Sequence, residues 1–337
     1  MKGPDEVLLA HGGGGELSYQ LIKELLLPTF DNPVLKELDD AARLYLKSKR
    51  LAFSTDSYVV KPLFFPGGDI GKLAVCGTIN DLAMVGAEPL YMSVSLIIEE
   101  GFSLNTLKKV IKSMERVARQ TGVQIVTGDT KVVERGSLDR LFINTAGIGS
   151  IDGDLDISGG NARVGDRIIL SGTVGDHGIA VLSQREGFQF ESNLLSDCAP
   201  LNNLVSRMTK ESKNIHVLRD PTRGGVVTAL NEIALQSGVE MVIEEKAIPI
   251  KDEVRAACEM LGLDPLHIAC EGKLIAFVAG EDAHSVLEVM RDDPLGKDAA
   301  IIGEVISRNR PRVLLETFIG TRRIVFLPRG ELLPRIC

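Results

Sequence analysis

The chain has 337 residues, of which 44% are hydrophobic and 25% are charged, and its formal net charge is −8. This balance is typical of a globular protein, and the length favours two domains. The negative charge argues against general electrostatic binding to nucleic acid or to an anionic membrane. No apolar run is long enough to span a bilayer, and the chain does not begin with a signal-peptide pattern. The five cysteines form no close pair and no metal-ligand spacing, so we expect a cytoplasmic protein with reduced thiols.

The first forty residues are predicted to form a flexible segment that contains a glycine run and a helix. The run follows His11 and consists of Gly12, Gly13, Gly14 and Gly15. Consecutive glycines let backbone N–H groups approach an anion, and the helix expected from about Glu16 adds its positive end. The run lacks the Lys-Ser/Thr of a Walker A loop and does not fit the dinucleotide fingerprint. A hinge and a phosphate-binding loop therefore both remain open.

Alternating strand and helix patterns predict an α/β (α+β) protein with domains at 41–150 and 160–311. A segment rich in Gly, Asp and Ser separates the two domains, at 151–165. The strands are predicted at about 51–55, 90–98, 123–127, 141–148, 167–171, 216–218, 241–244, 274–278 and 300–305. The helices are predicted at about 70–85, 104–121, 179–184, 202–210, 225–237, 251–261 and 283–292. A strand-rich piece and a tail follow, at 312–337.

Three aspartates stand beside or just after predicted strands. Asp56 follows the first strand, Asp129 follows the strand near 123–128, and Asp220 opens the segment DPTRGG before a helix. Loops at strand ends are where open α/β sheets bind ligands. Each aspartate taken alone is more typical of a helix cap or a turn.

Asp81 carries a stronger signal because of its place on the predicted helix at 70–85. At 100° per residue its side chain falls within the same arc as several apolar or small residues. An unpaired carboxylate among apolar side chains costs several kcal/mol, so it needs a partner. A buried Arg or Lys is one candidate. A hard cation held jointly by Asp81, Asp56 and Asp220 explains more of the pattern, and suggests a Mg-nucleotide site without a P-loop.

Two further residues are candidates for proton transfer. Lys131 follows Asp129 by two positions, and Glu271 immediately precedes the strand near 274–278. Near a phosphate site, such groups move protons or stabilise a developing charge. An exposed lysine and a structural glutamate are the open alternative.

The last residue, Cys337, ends a segment with two prolines and a glycine, at 327–334. Proline resists helix, so this tail is predicted to be extended and mobile. Ten extended residues reach ~30 Å. A thiol on such a tether suits the transfer of a group between sites, and a frayed end with an incidental cysteine is the open alternative.

Several motifs together resemble the AIR synthetase (PurM-like) superfamily, and within it the HypE family of hydrogenase maturation factors. The superfamily motifs are STDS at 54–57, PGGDIGK at 66–72, GTINDLAMVGAEP at 77–89, TGDTK at 127–131 and DPTRGG at 220–225. The narrower resemblance lies in HGGGG at 11–15, GDHGI at 175–179, ACEGK at 269–273 and PRIC at 334–337. It extends from about residue 7 to the end of the chain.

The resemblance implies ATP-dependent dehydration of a carbamoyl group on the Cys337 sulfur to a thiocyanate. The partner HypF would deliver the carbamoyl group, and the HypC–HypD scaffold would receive cyanide for hydrogenase iron. By resemblance, Asp56, Asp81 and Asp220 would hold Mg-ATP, while Lys131 and Glu271 would act on the carbamoyl group. The residues that would line the nucleotide site are the Gly12–Gly15 loop, Asn80, Gly128, Asp129 and Thr130. The family fold implies a homodimer whose N-terminal domains pair into a β-barrel.

Two alternatives remain open. One is another enzyme of the superfamily, such as a thiamine-monophosphate kinase or a selenophosphate synthetase. The latter carries its reactive cysteine near the start of the chain, where this sequence has no cysteine before Cys76. The other is a non-catalytic adaptor whose extended tail docks into a partner. An adaptor predicts no nucleotide binding.

Overall fold

The computed structural model describes most of the chain as two αβ domains. The described residues are 6–12, 16–38, 42, 44, 46, 50–151, 153, 155–186, 194–308, 310–327, 333 and 335–337. Gly13, Gly14 and Gly15 of the predicted loop lie outside this set. Within it, no helix is long and apolar enough to cross a membrane.

The N-terminal domain is built on a four-stranded sheet with the order β1-β6-β4-β5. Its strands are β1 (Leu51–Tyr58), β4 (Glu88–Glu99), β5 (Gln124–Val133) and β6 (Leu141–Ser150), and a small hairpin consists of β2 (Phe64–Phe65) and β3 (Gly68–Asp69). Within this sheet, β4 and β5 are the parallel pair. Along β4, Met92, Val94, Leu96 and Ile98 are buried while their neighbours are more exposed. This alternation means that one face of the sheet packs on the core.

Two long helices cover that buried face, and shorter helices precede the sheet in the chain. The long ones are α4 (Ile70–Met84) and α5 (Leu104–Thr121), and the short ones are α1 (Glu16–Leu21), α2 (Leu27–Phe30) and α3 (Pro33–Lys36). Asp69 caps α4 by accepting hydrogen bonds from the Gly71 and Lys72 N–H groups. Cys337 and Ile336 pack with this core although they are far away in sequence.

The C-terminal domain contains a seven-stranded sheet with the order β13-β12-β9-β11-β7-β10-β8. Its strands are β7 (Arg167–Leu170), β8 (Ile215–Arg219), β9 (Glu240–Glu244), β10 (Ile275–Val278), β11 (Ala300–Ser307), β12 (Arg312–Glu316) and β13 (Arg322–Val325). Its helices are α6 (Asp176–Glu186), α7 (Asn202–Glu211), α8 (Gly225–Ser237), α9 (Asp252–Leu261) and α10 (Ala283–Arg291). Ile168 packs toward α8 whereas Ile169 packs toward α7 and α10, so apolar clusters lie on both faces of this sheet.

The predicted helices and strands are present, with three differences that concern the site. Asp56 lies within β1 and Asp129 within β5, because both strands extend beyond the apolar runs that predicted them. Asp81 does not interrupt a single apolar stripe. Helix α4 is buried on nearly all sides between the two domains, and Asp81 is one of its two partly exposed residues. The carboxylate therefore faces the cleft between the domains rather than the core.

Helix α4 connects the two domains through Asn80. The Asn80 side-chain amide donates to the backbone oxygens of Ala199 at 3.1 Å and Glu271 at 3.4 Å. Its side-chain oxygen accepts from the Leu201 N–H at 2.8 Å. Because these three bonds satisfy a side chain that is 1% exposed, Asn80 fixes how the C-terminal domain sits on α4.

Candidate active site between the two domains

One wall of the cleft is formed by side chains of β1 and α4. The register of β1 directs Ser54, Asp56 and Tyr58 toward α4, since alternate residues of a strand share a face. Ser54 donates its hydroxyl to Asp81 at 2.6 Å. The pKa of Asp81 is raised by partial burial and by the charge of Asp56, although the Ser54 hydrogen bond acts in the opposite direction. Two carboxylates of this wall thus lie close enough to repel each other.

Asp220 contributes a third carboxylate from the other domain, directly after β8. Removal from water, followed by repulsion from Asp81, raises its pKa to about 7. The positive charges of Arg219 and Arg223 act on Asp81 in the opposite direction. Asp56, Asp81 and Asp220 therefore influence one another electrostatically across the cleft, and their predicted role as metal ligands stays a prediction.

No group of three or more His, Cys, Asp or Glu side chains is arranged as a metal site in the described part of the chain. The donor set nevertheless fits a hard cation. Carboxylate oxygens are the ligands that Mg²⁺ prefers, and Mg²⁺ usually completes its coordination with water and phosphate oxygens. A divalent cation would also relieve the mutual repulsion that, in addition to burial, raises the pKa values of Asp81 and Asp220.

Glu271 lies deeper in the cleft and is 3% exposed. Asp197 accepts a hydrogen bond from the Glu271 backbone N–H at 3.0 Å, and Asn80 binds its carbonyl. These contacts hold the backbone, while one side-chain oxygen, Oε1, has no hydrogen-bond partner among the described residues. Burial, together with the neighbouring Cys198 and Asp220, raises the pKa of Glu271 well above its usual range. Glu271 is therefore a buried carboxyl group with a strong affinity for a proton.

The end of the chain is folded into this cleft. Ile336 is 3% exposed, and the Cys337 carbonyl accepts from the Val59 N–H at 3.3 Å. The pKa of the Cys337 thiol is raised by burial and then by the negative charge of Glu271, while Arg223 lowers it. The sequence predicted an extended, mobile tail; residues 335–337 are docked in this structure, and the mobility of the tail stays a prediction. Most of the preceding tail lies outside the described residues.

Tyr58 is a residue of this cleft that the sequence motifs did not indicate. It is 1% exposed, and its pKa is raised by burial and by the charges of Asp56 and Glu271. Its hydroxyl lies against Gly77 of α4, where any Cβ atom would overlap it. The glycine that opens the motif at 77–89 therefore leaves room for Tyr58. The alternation of β1, which places Tyr58 on the same face as Asp56, was the available signal.

The remaining predicted residues belong to a different cavity. A cavity of about 440 Å³ lies between the N-terminal helices and the β4–β5 side of the sheet. Its polar lining includes Gly12, Gly128, Asp129, Thr130 and Lys131, and the rest is mostly apolar. Lys131 is exposed and lies 4.0 Å from Asp129. Because Lys131 is exposed and lines this cavity, whereas Glu271 is 3% exposed in the cleft, the structure places these two predicted catalytic groups at different sites of the chain.

Comparison with known proteins agrees with this architecture. Residues 38–151 match the N-terminal domain of AIR synthase related proteins, and residues 163–316 match the C-terminal domain of the same family. The carbamoyl dehydratase HypE of Cupriavidus necator is 52% identical over 330 residues, which cover 98% of this chain and 94% of that protein. The chain belongs to the HypE family of carbamoyl dehydratases.

Solved structures show the same relationship. A hydrogenase maturation protein HypE in complex with ATP is 51% identical and superposes with a TM-score of 0.95, covering 98% of this chain and 99% of that one. The HypE chain of a HypE–HypF complex is 50% identical, with a TM-score of 0.81 over 91% of this chain and 99% of that one. The two-domain, PurM-like fold expected from the motifs is thereby confirmed.

Proposed function

We propose that this chain uses ATP and Mg²⁺ to dehydrate a carbamoyl group carried on its own Cys337. The observation that carries the proposal is the position of Cys337 beside Glu271 in a cleft that also contains three coupled carboxylates. The relationship to carbamoyl dehydratases, one of which was solved with ATP, supports the same reaction. An adaptor does not need this arrangement, because docking requires no buried acid next to the tail thiol.

The reaction converts an S-carbamoyl group and ATP into an S-cyano group, ADP and phosphate. An amide oxygen is a poor leaving group, so the carbamoyl oxygen first attacks the γ-phosphorus of the substrate ATP and displaces ADP. Loss of the two N–H protons and of phosphate then leaves S–C≡N. Asp56, Asp81 and Asp220 are the residues that would hold Mg²⁺, which would neutralise charge on the phosphates. Bound phosphate oxygens would complete its coordination.

Glu271 is the base that accepts protons from the carbamoyl nitrogen. Burial raises its pKa, so the ionised carboxylate holds a proton tightly, and the same burial keeps bulk water away from the reacting atoms. Tyr58 and Asn80 border the same space without carrying a charge. Water exclusion matters here because water would compete with the carbamoyl oxygen for the phosphoryl group.

Loading of Cys337 takes place outside this cleft. A thiol attacks as the thiolate, and burial beside Glu271 raises the pKa of docked Cys337, which disfavours that form. The tail therefore leaves the cleft to receive the carbamoyl group from HypF. A related chain has been crystallised with HypF, which supports this partner. The cyanide would then pass to iron on the HypC–HypD scaffold.

A homodimer would explain the position of Lys131. The face of the four-stranded sheet opposite α4 and α5 carries Phe53, which is 71% exposed, and Leu51, which is 48% exposed. Asp56 and Lys131 lie on the two edge strands, β1 and β5, whose axes are about 14 Å apart at the usual strand spacing, and Lys131 lies three residues beyond the β5 position in register with Asp56. Two such sheets that close into one barrel, β1 of one copy beside β5 of the other, would place Lys131 next to the partner's carboxylates.

The central experiment follows the mass of Cys337. The protein is incubated with the partner transferase, carbamoyl phosphate, ATP and Mg²⁺, and the last peptide is weighed. We expect the carbamoyl mass, followed by loss of one water only when this chain's ATP site is functional. Cys337→Ala is expected to bind ATP normally and to carry no modification. Labelling of another cysteine in that variant would overturn the proposal.

Mixed dimers test the placement of Lys131. Consider a mixed dimer of one Lys131→Ala subunit and one Cys337→Ala subunit. If Lys131 acts across the interface, the intact Lys131 serves the intact Cys337 and one complete site remains. We then expect about half of the wild-type rate. The matched control pairs Glu271→Ala with Cys337→Ala. Because Glu271 and Cys337 meet within one chain, this control dimer is expected to be inactive. An inactive Lys131 mixture would instead place Lys131 in its own chain's site.

A further inference from the structure

The last three residues are held by a set of contacts that reach both domains. The Arg335 guanidinium donates to the Asp139 carboxylate at 2.7 Å and to the Val59 carbonyl at 2.9 Å. The Arg335 carbonyl accepts from the Lys61 N–H at 3.2 Å, and the Ile336 carbonyl accepts from His177 at 2.9 Å. The side chain between these bonds, Ile336, is buried. Cys337 is therefore anchored through its two preceding residues as well as through its own bond to the Val59 N–H.

The backbone of Arg335 indicates that this anchorage is specific. Its φ is +54°, in the left-handed region that costs a non-glycine residue ~1 kcal/mol. A free tail would relax out of this conformation. The two guanidinium hydrogen bonds and the contact of that group with the Phe142 ring, 5.7 Å to the centroid, offset the cost. The left-handed turn then directs Ile336 into the core and Cys337 into the cleft.

His177 is buried, and its orientation is determined by both ring nitrogens. Nε2 lies 2.9 Å from the Ile336 carbonyl, which can only accept, so Nε2 carries the proton. Nδ1, at 2.8 Å, then accepts from the Ser196 hydroxyl, whose oxygen in turn accepts from the Cys198 N–H. The ring also packs edge-on against Phe65 at 5.3 Å. Both ring nitrogens are thus hydrogen-bonded, and the bond to the Ile336 carbonyl is the one that reaches the tail among the described residues.

Asp139 is presented by a loop that is itself fixed. The loop joins β5 to β6, and Glu99 accepts hydrogen bonds from its Gly136 N–H at 2.7 Å and Arg140 N–H at 3.1 Å. Asp139 also accepts from the Lys61 ammonium at 2.9 Å. The carboxylate therefore stays in place when the tail is absent, ready to receive Arg335.

We propose that His177 and Asp139 are positioning residues which hold Cys337 beside Glu271 through the Ile336 carbonyl and the Arg335 guanidinium. Neither residue contacts the reacting atoms. The proposal rests on the function proposed above only for its effect on dehydration; the docking itself is measurable without any carbamoyl group.

The first measurement is the rate at which N-ethylmaleimide alkylates Cys337 in the unloaded full-length protein. The other four cysteines are buried, and mass spectrometry of the last peptide isolates this site. Asp139→Asn and Arg335→Ala are expected to raise the rate by about threefold to tenfold. His177→Leu leaves a buried carbonyl without a donor and is expected to raise it by about tenfold to a hundredfold. Unchanged rates in all three variants would overturn the proposal.

Two control variants separate positioning from general stability. His177→Gln retains an N–H donor, so we expect an alkylation rate within about threefold of wild type. Lys61→Ala removes the other partner of Asp139 but leaves the backbone bond to the tail, and it should behave like wild type. If Lys61→Ala exposed the thiol as strongly as Asp139→Asn, the loop rather than the Arg335 contact would be responsible, and the proposal would fail for Asp139.

The second measurement is ATP-dependent water loss from protein that has been loaded on Cys337. We expect Asp139→Asn and Arg335→Ala to slow water loss by a factor similar to their gain in alkylation, with an unchanged ATP affinity. Variants that expose the thiol yet lose water at the wild-type rate would overturn positioning. Absence of water loss in the wild type would refute the proposed function, while the alkylation rates would still decide the docking contacts. Asp139 and Arg335 are partly exposed, so they provide the answer even if His177→Leu does not fold.

Discussion

Three acidic side chains of the cleft differ in their access to solvent. Asp56 and Asp81 of the N-terminal domain are partly exposed, whereas Glu271 of the C-terminal domain is 3% exposed. A hydrated cation and its phosphates can reach the first pair, which is what a metal-nucleotide site requires. A base that removes protons from an amide benefits from the opposite environment, because a buried carboxylate in its ionised form holds a proton more tightly than a hydrated one. The cleft thus separates charge binding from proton transfer by burial.

Glu271→Gln is expected to have the largest effect, which is on the proton-transfer side of the cleft. The substitution retains the shape but removes the proton acceptor, so water loss from loaded Cys337 should slow by about 10²–10⁴-fold. Mass spectrometry should show protein stalled as the carbamoylated species, with ATP affinity unchanged. Glu281→Gln, the same change at an exposed position of the same domain, is the control. A wild-type rate of water loss would show that Glu271 is only structural.

Asp81→Asn tests the solvent-accessible side. Removing this charge should reduce Mg²⁺-dependent ATP turnover by at least about a hundredfold, since a preorganised electrostatic contact is lost. Turnover is measured at saturating Mg²⁺ beside the melting temperature, with exposed Asp298→Asn as the control. A fall in melting temperature with near-normal turnover in the folded fraction would assign Asp81 to structure instead.

Asp220→Asn should stabilise the ligand-free protein in a pH-dependent manner. The pKa of Asp220 is about 7 in the folded state and near 4 in the unfolded chain. Between pH 4 and pH 7 the folded state therefore binds more protons than the unfolded state does. Its burial therefore costs stability that increases from pH 4 to 7 and is at most about 4 kcal/mol. The difference in unfolding free energy between variant and wild type, from denaturant titrations, should favour the variant more at pH 8 than at pH 4. A pH-independent difference would contradict this.

Gly77→Ala gives the smallest expected effect and tests the packing between the two sides. The added Cβ overlaps the Tyr58 hydroxyl, and such overpacking typically costs about 1–3 kcal/mol. Denaturant unfolding measures the loss. Combining Gly77→Ala with Tyr58→Phe removes the hydroxyl and should recover part of the stability. If the double variant is no more stable than Gly77→Ala alone, the overlap with Tyr58 is not the cause.

Much of the fold and of the candidate site could be predicted from the sequence. The apolar pattern at 70–85 predicted α4 to within one residue, and the run before Asp220 predicted β8. The motifs identified the three carboxylates and Glu271 as candidates for one site. The prediction that Asp81 lies on a single apolar stripe was wrong, whereas its role in metal binding stays a prediction. Periodicity assumes one buried face, and α4 is covered on nearly all sides, so the helix position alone could not show which way the carboxylate points.

The sequence by itself determined the local elements and the chemical inventory: two αβ domains, three carboxylates, a glutamate and a terminal thiol. Only the tertiary structure decided that Cys337 docks beside Glu271, that His177 and Asp139 hold its neighbours, and that Lys131 lies elsewhere. Helix and strand patterns arise from contacts a few residues apart, which a sequence displays directly. The contacts of the site depend on residues that meet only after folding. Val59 and Arg335, for example, are 276 positions apart and are joined by a hydrogen bond in the folded chain. Burial and the interaction between charges likewise depend on distances that only the folded chain defines.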